Sequence, residues 1–459
     1  MKKADRGYLY HSEATSICHE CMALIPAKIV IKDNRVLLLK DCKVHGKRYE
    51  LLEEDAEYYL KRNIYDKPGT ASTAQTGSLK GCPHDCGLCP EHEQHTCIGL
   101  IEVIDKCNLN CPQCFAAGDI GKTLSLDQLN SIMDFYIESE GGQAEILQIS
   151  GGEPTLHPDI IKIIEKAREK KIKYIMLNTN GIRIAEDMSF AAELGKFKGG
   201  FEIYLQFDGF EKKAQEHLRG RDMREIKIKA VENLAAYKVP VTLVSTIENG
   251  VNDTEIGAII NFALNSKYVR GINFQQMAYY NGNNDGVDML KRSTVSGILK
   301  DIEKQTNGII RKDDFVALPC NVERVAVTYL YRDGRGFLPI TRNLKVQDFL
   351  PFIRNTFSFT TEDIMKEALN QMTEGQFCQC FDFIKGLKPL LPFGLHLKRK
   401  EKKIEYISEN TFRITATSFV DAYNFDLRSL RKECVHVITS DMKRIPFSAY
   451  NLFHRRANA

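Results

Sequence analysis

One stretch constrains this chain more than any other: Cys107-Asn108-Leu109-Asn110-Cys111-Pro112-Gln113-Cys114-Phe115. Three thiolates in a C-x3-C-x2-C loop can hold three irons of a [4Fe–4S] cluster, and such clusters are normally held by four cysteines. The fourth iron is then open to a substrate or cofactor. Leu100-Ile101-Glu102-Val103-Ile104 upstream reads as a buried strand, so the loop leaves the C-terminal end of a strand. Further on, Ile146-Leu147-Gln148-Ile149-Ser150-Gly151-Gly152-Glu153-Pro154 reads as a second strand ending in a Gly-Gly-Glu turn. Glycines let backbone approach a ligand closely, and the Glu153 carboxylate can receive an ammonium. The plainer reading of the three cysteines is a zinc knuckle beside an ordinary strand–turn–helix.

The compartment decides what the remaining cysteines do. Met1-Lys2-Lys3-Ala4-Asp5-Arg6-Gly7-Tyr8 has no apolar run after its charges, so no signal peptide is expected. No stretch approaches the ~18 apolar residues of a membrane span. A cytoplasmic location follows, and 14 cysteines in a reducing compartment point to metal rather than disulfides. A net charge of +3 gives no argument for nucleic acid, and 43% hydrophobic with 27% charged residues is the composition of a soluble globular chain. With 459 residues there is room for two or three domains.

The other cysteines fall into groups. Cys18-x2-Cys21 and Cys42-x2-His45 are two knuckles separated by a hairpin pattern that turns at Asp33-Asn34. That arrangement suits tetrahedral Zn²⁺ or a rubredoxin-like mononuclear iron, with His45 leaning toward zinc. Cys82, Cys86 and Cys89 repeat the C-x3-C-x2-C spacing but follow Gly- and Thr-rich sequence, not a strand. Cys97 is near enough to be their fourth ligand, which makes this an auxiliary, fully ligated [4Fe–4S] cluster, with zinc as the plainer alternative. Cys320, Cys378, Cys380 and Cys434 remain, the number a second auxiliary cluster needs. The expected divisions are 1–60 for the ribbon, 61–99 for the auxiliary-cluster segment, 100–310 for a barrel and 311–459 for a C-terminal α+β cluster domain.

From residue 100 onward, apolar β-type runs alternate with amphipathic helical stretches. Strands are expected near 101–104, 146–149, 174–178, 201–207, 239–246 and 271–275. Ser125-Leu126-Asp127-Gln128 is a capping box. Leu126, Leu129, Met133, Tyr136 and Ile137 then share one helix face. Six βα units imply an α/β fold with a parallel sheet and right-handed crossovers.

These motifs together resemble the radical S-adenosylmethionine (SAM) superfamily. The resemblance implies a partial (β/α)6 barrel with its site at the C-terminal strand ends. It implies that Cys107, Cys111 and Cys114 carry the SAM-binding cluster, with Phe115 and Ser150 beside the cofactor. The Gly151-Gly152-Glu153 turn would hold the SAM amino group. Asn178 or Asn180 would reach the ribose, Gln206 or Asp208 would come from the fourth strand, and Ile247 would pack near adenine. The ribbon, the doubled C-x3-C-x2-C and the C-terminal Thr415–Asp426 and Cys434–Asn451 stretches are similar to the tetraether synthase family, which joins lipid alkyl chains. That implies three [4Fe–4S] clusters and one Zn²⁺ or iron site. The pattern is also similar to radical SAM proteins that C-methylate a reduced pterin.

The expected chemistry is reductive cleavage of SAM to a 5′-deoxyadenosyl radical that abstracts hydrogen from an unactivated C–H, with electrons from a flavodoxin- or ferredoxin-type reductant. An auxiliary cluster would trap a carbon radical or relay electrons. A lipid substrate would use the apolar runs 349–353 and 387–393, and Lys398-Arg399-Lys400-Glu401-Lys402-Lys403 would suit peripheral contact with the inner membrane face. Otherwise these are core and a solvated basic turn. A non-enzymatic iron–sulfur electron carrier is the third reading, disfavoured because a carrier needs no SAM site.

Overall fold

The computed structural model describes residues 7–70, 72–116, 122–280, 287–332, 336–342, 346–349, 355 and 410–455. The first sheet is an antiparallel meander of β1 (Leu9–Ile17), β2 (Leu24–Lys32), β3 (Arg35–Cys42) and β4 (Gly46–Glu53). Asp33 and Asn34 turn β2 into β3 with φ of 51° and 57°. Two left-handed residues are what a two-residue turn needs to match strand twist. Ala27, Ile29, Val36 and Leu38 pack beneath Ala56 and Tyr59 of α1 (Ala56–Lys61).

The second sheet is the expected partial barrel. Its parallel strands are β5 (Ile98–Ile104), β6 (Ala144–Gly151), β7 (Ile172–Thr179), β8 (Phe201–Gln206), β9 (Val241–Ile247) and β10 (Val269–Gln276). The helices that follow them are α2 (Leu126–Ser139), α3 (Ile160–Glu169), α4 (Ile182–Glu186), α5 (Met188–Leu194), α6 (Lys212–Arg219), α7 (Arg224–Ala236), α8 (Ile256–Asn265) and α9 (Val295–Gln305). The capping box at α2 forms in both directions between Ser125 and Gln128. Leu129, Ile132, Met133 and Tyr136 are the buried face of that helix, while Leu126 and Ile137 flank it half-buried.

The described part of 311–459 lengthens this same sheet at both edges. Its strands are β11 (Val316–Ala317), β12 (Val325–Arg332), β13 (Phe337–Pro339), β14 (Thr411–Thr417), β15 (Val435–Ile438) and β16 (Arg444–Pro446). β14 runs parallel to β10 and β12 antiparallel to β14, while β15 runs parallel to β5 on the opposite edge.

Strand periodicity sorts the side chains into two sets. Leu147, Leu177, Leu205, Leu243, Ile272 and Phe274 point outward into the core beneath the helices. Burying each such side chain contributes ~1.5–3 kcal/mol. Their neighbours Gln148, Asn178, Gln206, Thr246, Asn273 and Gln275 face the barrel interior. The sheet is held by an apolar layer on one side and surrounds, on the other, a wall in which these polar groups stand among Ile98, Met176, Tyr204 and Phe447.

The ribbon is joined to the barrel by buried polar contacts. The Lys40 ammonium, 2% exposed, donates to the Ala422 carbonyl at 2.8 Å, and Ser16 Oγ donates to the Phe425 carbonyl at 2.7 Å. Glu53 accepts from the backbone N–H and hydroxyl of Ser296 at the start of α9. Beside these, Arg292 and Asp421 form a buried ion pair. Asp421 also accepts the backbone N–H groups of Tyr279, Tyr423 and Asn424.

Candidate functional site

The loop after β5 opens onto a cavity of about 280 Å³ enclosed by the C-terminal strand ends. Cys107, Cys111, Cys114 and Phe115 all line it. Burial pushes the thiols of Cys107 and Cys114 up, so a cation is what would hold them as thiolates. A bare knuckle has no use for the cavity behind it. The three cysteines share the wall of this cavity, where a cluster held by them would have room for a ligand on its open iron. Phe115 packs edge-on against Tyr280 and Phe447 at 5.4 and 5.5 Å, which fixes the C-terminal side of the loop.

The two glycines of the Gly-Gly-Glu turn are required by close backbone packing. Gly151 has φ of +139°, and a Cβ there would lie 2.1 Å from the Ile104 carbonyl oxygen. A Cβ on Gly152 would lie 2.3 Å from that of Asp105. The turn is therefore seated on the root of the cysteine loop. Glu153 lines the cavity. Its carboxylate accepts from Thr155 N (3.1 Å), Thr155 Oγ1 (2.6 Å), Thr179 Oγ1 (2.8 Å) and Asn180 N (2.7 Å). Four internal donors engage it, so its side chain ties the ends of β6 and β7 together. Burial raises its pKa against the pull of those donors.

Asn178 and Ser150 line the cavity and are hydrogen-bonded to each other at 3.3 Å, and Gln148 Nε2 donates to Asn178 Oδ1 at 2.6 Å. Asn180 also lines it and donates to Asn108 Oδ1 of the cysteine loop at 2.7 Å. Gln206 faces the cavity, but Asp208 does not: it is fully buried and bound by Arg219. Ile247 is also fully buried, in the outer core beneath the helices. Thr246, one position earlier, lines the cavity. A single-residue offset along a strand exchanges inside for outside.

Sequence reasoning missed four cations in the cavity wall, Arg324 and Arg413 among them. Arg219, at the end of α6, and Lys227, in α7, both line it. Lys227 is 1% exposed and donates to the Asn180 carbonyl at 2.6 Å. Burial, with the nearby Arg219 charge, pulls its pKa down to about 7. Arg219 carried a faint signal, since it precedes a helix-ending glycine, but helix-terminal arginines are common. Lys227 carried none, because a lysine within an amphipathic helix usually reads as solvated.

The metal-ligand groups are partly regrouped by the fold. Cys18, Cys21, Cys42 and His45 converge as expected, with His45 Nδ1 at 3.4 Å from Cys18 Sγ and 3.6 Å from Cys42 Sγ. The backbone N–H groups of His45 and Val44 hold the Cys42 thiol down to about 6. Cys82, Cys86 and Cys89 stay neighbours, with Cys82 and Cys86 against Ile17, Val420 and Phe425. Cys97 does not join them. It lies with Cys320 and Cys434, all three buried and with sulfurs within 4.8 Å of one another. The physical reason is the sheet. Cys97 and Cys434 precede the adjacent strands β5 and β15, and Cys97 N donates to the Cys434 carbonyl at 2.9 Å. Cys320 comes from the turn before β12, near the other edge of the sheet. His95 Nε2 is 3.7 Å from Cys97 Sγ. Cys378 and Cys380 lie outside the described residues, as do the segments 350–354 and 387–403.

Residues 101–263 match the radical SAM superfamily, and residues 10–54 match the HMPTM N-terminal zinc ribbon domain. The chain is 33% identical to the 7,8-dihydro-6-hydroxymethylpterin dimethyltransferase of Methanocaldococcus jannaschii, over 96% of this chain and 93% of that protein. It is 30% identical to a probable GTP 3′,8-cyclase of Pyrococcus abyssi over 36% of this chain and 51% of that one. Among solved structures, Streptococcus suis SuiB bound to S-adenosylmethionine is similar over 47% of this chain and 48% of its own, with 19% identity and a TM-score of 0.39. The chain is a radical SAM enzyme with an N-terminal zinc ribbon, and it belongs to the family of the M. jannaschii pterin dimethyltransferase.

Proposed function

We propose that this enzyme replaces a C–H hydrogen of a reduced hydroxymethylpterin with a methyl group inside the barrel cavity, the hydrogen leaving on 5′-deoxyadenosine, the methyl coming from the sulfonium of a second SAM, and two electrons in all coming from the reductant. The carrying observation is the chemistry of the cavity wall. Gln148, Asn178, Asn273, Gln275, Thr417 and Arg324 all face it. A pterin ring offers alternating donors and acceptors that side-chain amides and a guanidinium can match. An alkyl chain in the same place would offer these groups no partner beyond those they already have within the protein, Asn178 with Gln148 and Ser150 and Asn273 with Tyr204 and Thr417. The name of the M. jannaschii relative supports the same substrate class over joining of lipid chains, the reading that the resemblance to tetraether synthases had placed first. Among the described residues, no helix is long and apolar enough to cross a membrane.

Cys107, Cys111 and Cys114 would hold the SAM-binding cluster, and Asn178, Asn180, Gln206 and Thr246 would meet the cofactor along the strand ends. Bound together, cluster and SAM supply a 5′-deoxyadenosyl radical when a flavodoxin- or ferredoxin-type reductant delivers one electron. The protein's part is to hold that chemistry in a water-poor site. The Gly-Gly-Glu turn fixes the loop that carries the cysteines. Asn180 ties that loop to β7 through Asn108. Asn178 is held by Gln148 and Ser150 so that its orientation is set before ligand arrives. Cys82, Cys86 and Cys89 would ligate one auxiliary [4Fe–4S] cluster and Cys97, Cys320 and Cys434 another, with Cys378 and Cys380 as candidates to complete them. The ribbon would hold zinc.

The test is anaerobic reconstitution with iron, sulfide, SAM and a low-potential reductant. 7,8-Dihydro-6-hydroxymethylpterin and a lipid extract are then offered separately. Substrate-dependent 5′-deoxyadenosine and a methylated pterin are expected. A lipid product that has lost hydrogen, with the pterin unchanged, would transfer the reading to alkyl coupling.

A further inference from the structure

The end of α6 is built against the cysteine loop. Gly220 follows Arg219 with φ of +78°, and a Cβ on Gly220 would lie 2.8 Å from the Asn110 carbonyl oxygen. Any side chain there would push α6 off the segment between Cys107 and Cys111. This seating brings Arg219 to the same cavity wall as Cys111 and Cys114.

The guanidinium is then fixed by a fork. Nε donates to Asp208 Oδ2 at 2.6 Å and Nη2 to Asp208 Oδ1 at 2.7 Å. Nη2 also reaches Gln206 Oε1 at 2.8 Å and Thr246 Oγ1 at 3.3 Å. Asp208 is itself held by the Thr246 backbone N–H at 3.0 Å and has no exposure. Bidentate pairing locks the plane of an arginine as it cannot lock a lysine. The result is an oriented ion pair whose negative member is sealed in the protein and whose positive member lines the cavity with the cysteine loop.

We propose that the Asp208–Arg219 pair sets the reduction potential of the cluster on Cys107, Cys111 and Cys114, with Arg219 raising it and Asp208 lowering it. This rests on the reading of those three cysteines as the cluster site. Adding one electron from a low-potential donor makes the cluster more negative by one charge, with no bond formed or broken. A fixed cation beside the sulfurs stabilises the reduced form, and hydrogen bonding and charge near the sulfurs are recognised controls of cluster potential. Arg219 is thus a positioning residue that acts through the cluster. A guanidinium stays protonated at every working pH, so the cation persists.

The experiment is a potentiometric titration of the full-length reconstituted protein without SAM, read by electron paramagnetic resonance. The SAM-binding cluster is identified as the signal whose shape changes when SAM is added afterwards and which vanishes in Cys111→Ala. Arg219→Gln is expected to disfavour the reduced cluster at least tenfold, a fall of about 59 mV for one electron. Arg219→Lys should fall by less, since charge is kept and the fork is lost. Asp208→Asn should move the midpoint upward. A residue that merely braced the fold would shift both members of the pair in the same direction or lose iron in both. Unchanged midpoints with normal iron content, alongside weakened SAM binding in Arg219→Gln, would overturn the proposal and make Arg219 a SAM ligand. If the wild-type protein shows no SAM-responsive signal, the cluster reading itself fails, and this inference fails with it.

Discussion

Replacing Lys227 with methionine should make the protein more stable in acid and less stable in alkali. The ammonium is 1% exposed and donates to the Asn180 carbonyl at 2.6 Å. Burial pulls its pKa from 10.5 to about 7. Between those values the unfolded chain binds more protons than the folded one, so wild-type stability rises with pH through that window. Below pH 7 the full penalty applies. At ~1.4 kcal/mol per pH unit, a fall from 10.5 to about 7 corresponds to roughly 5 kcal/mol. Methionine is close in shape and carries no charge, so Lys227→Met removes this penalty. It also leaves the Asn180 carbonyl without its donor, which costs about 1–3 kcal/mol. The variant should therefore be more stable by roughly 2–4 kcal/mol at pH 6, from the two terms together. Toward pH 10 the penalty has faded in the wild type and only the lost hydrogen bond remains, so the difference changes sign. The assay compares thermal midpoints of the two proteins, equally loaded with metal, across that range. At ~2–4 °C per kcal/mol for a unit of this size, the gain at pH 6 should be about 4–16 °C. A difference that stays constant from pH 6 to 10 would show that the ammonium is not desolvated, and would refute the reasoning.

Asp421→Ala removes the anion of a buried ion pair and the acceptor of three backbone N–H groups, so a loss of ~3–5 kcal/mol is expected in a denaturant titration, with Asp421→Asn milder. Cys97→Ser should lose the same metal as Cys320→Ser and Cys434→Ser. In a double variant with Cys86→Ser the metal losses should add, and non-additive losses would restore Cys97 to the other cluster. Ile247→Val should cost about 0.5–1.5 kcal/mol of stability and leave SAM affinity, measured by calorimetry, unchanged.

The barrel was legible because its signals are local. Each of the six parallel strands lies where an apolar run was found, and the Ser125–Gln128 capping box forms as written. The cysteine loop and the Gly-Gly-Glu turn were legible for the same reason: spacing along the chain fixes them. Legibility failed where facing or folding decided the matter. Ile247 was placed beside adenine by its position at a strand end, but an alternating strand gives the cavity Thr246. Asp208 was marked as a ligand because a carboxylate at a strand end is conspicuous. Its actual partner is Arg219, delivered by the far end of the next helix. Cys97 was assigned by nearness in sequence to Cys89, whereas strand pairing sets it beside Cys434.

The meeting of Cys97, Cys320 and Cys434 also has a thermodynamic meaning. Loop-closure entropy grows only as the logarithm of loop length, so doubling a loop adds about 0.6 kcal/mol. A metal that gathers ligands several hundred residues apart is hardly more expensive to assemble than one that gathers neighbours. What it gains is a cross-link spanning most of the chain, and cross-links that close long loops restrict the unfolded ensemble most. Metal bound there would act on the denatured chain as much as on the folded one. Chelation should then shift the unfolding equilibrium even if every hydrogen bond in the barrel survived.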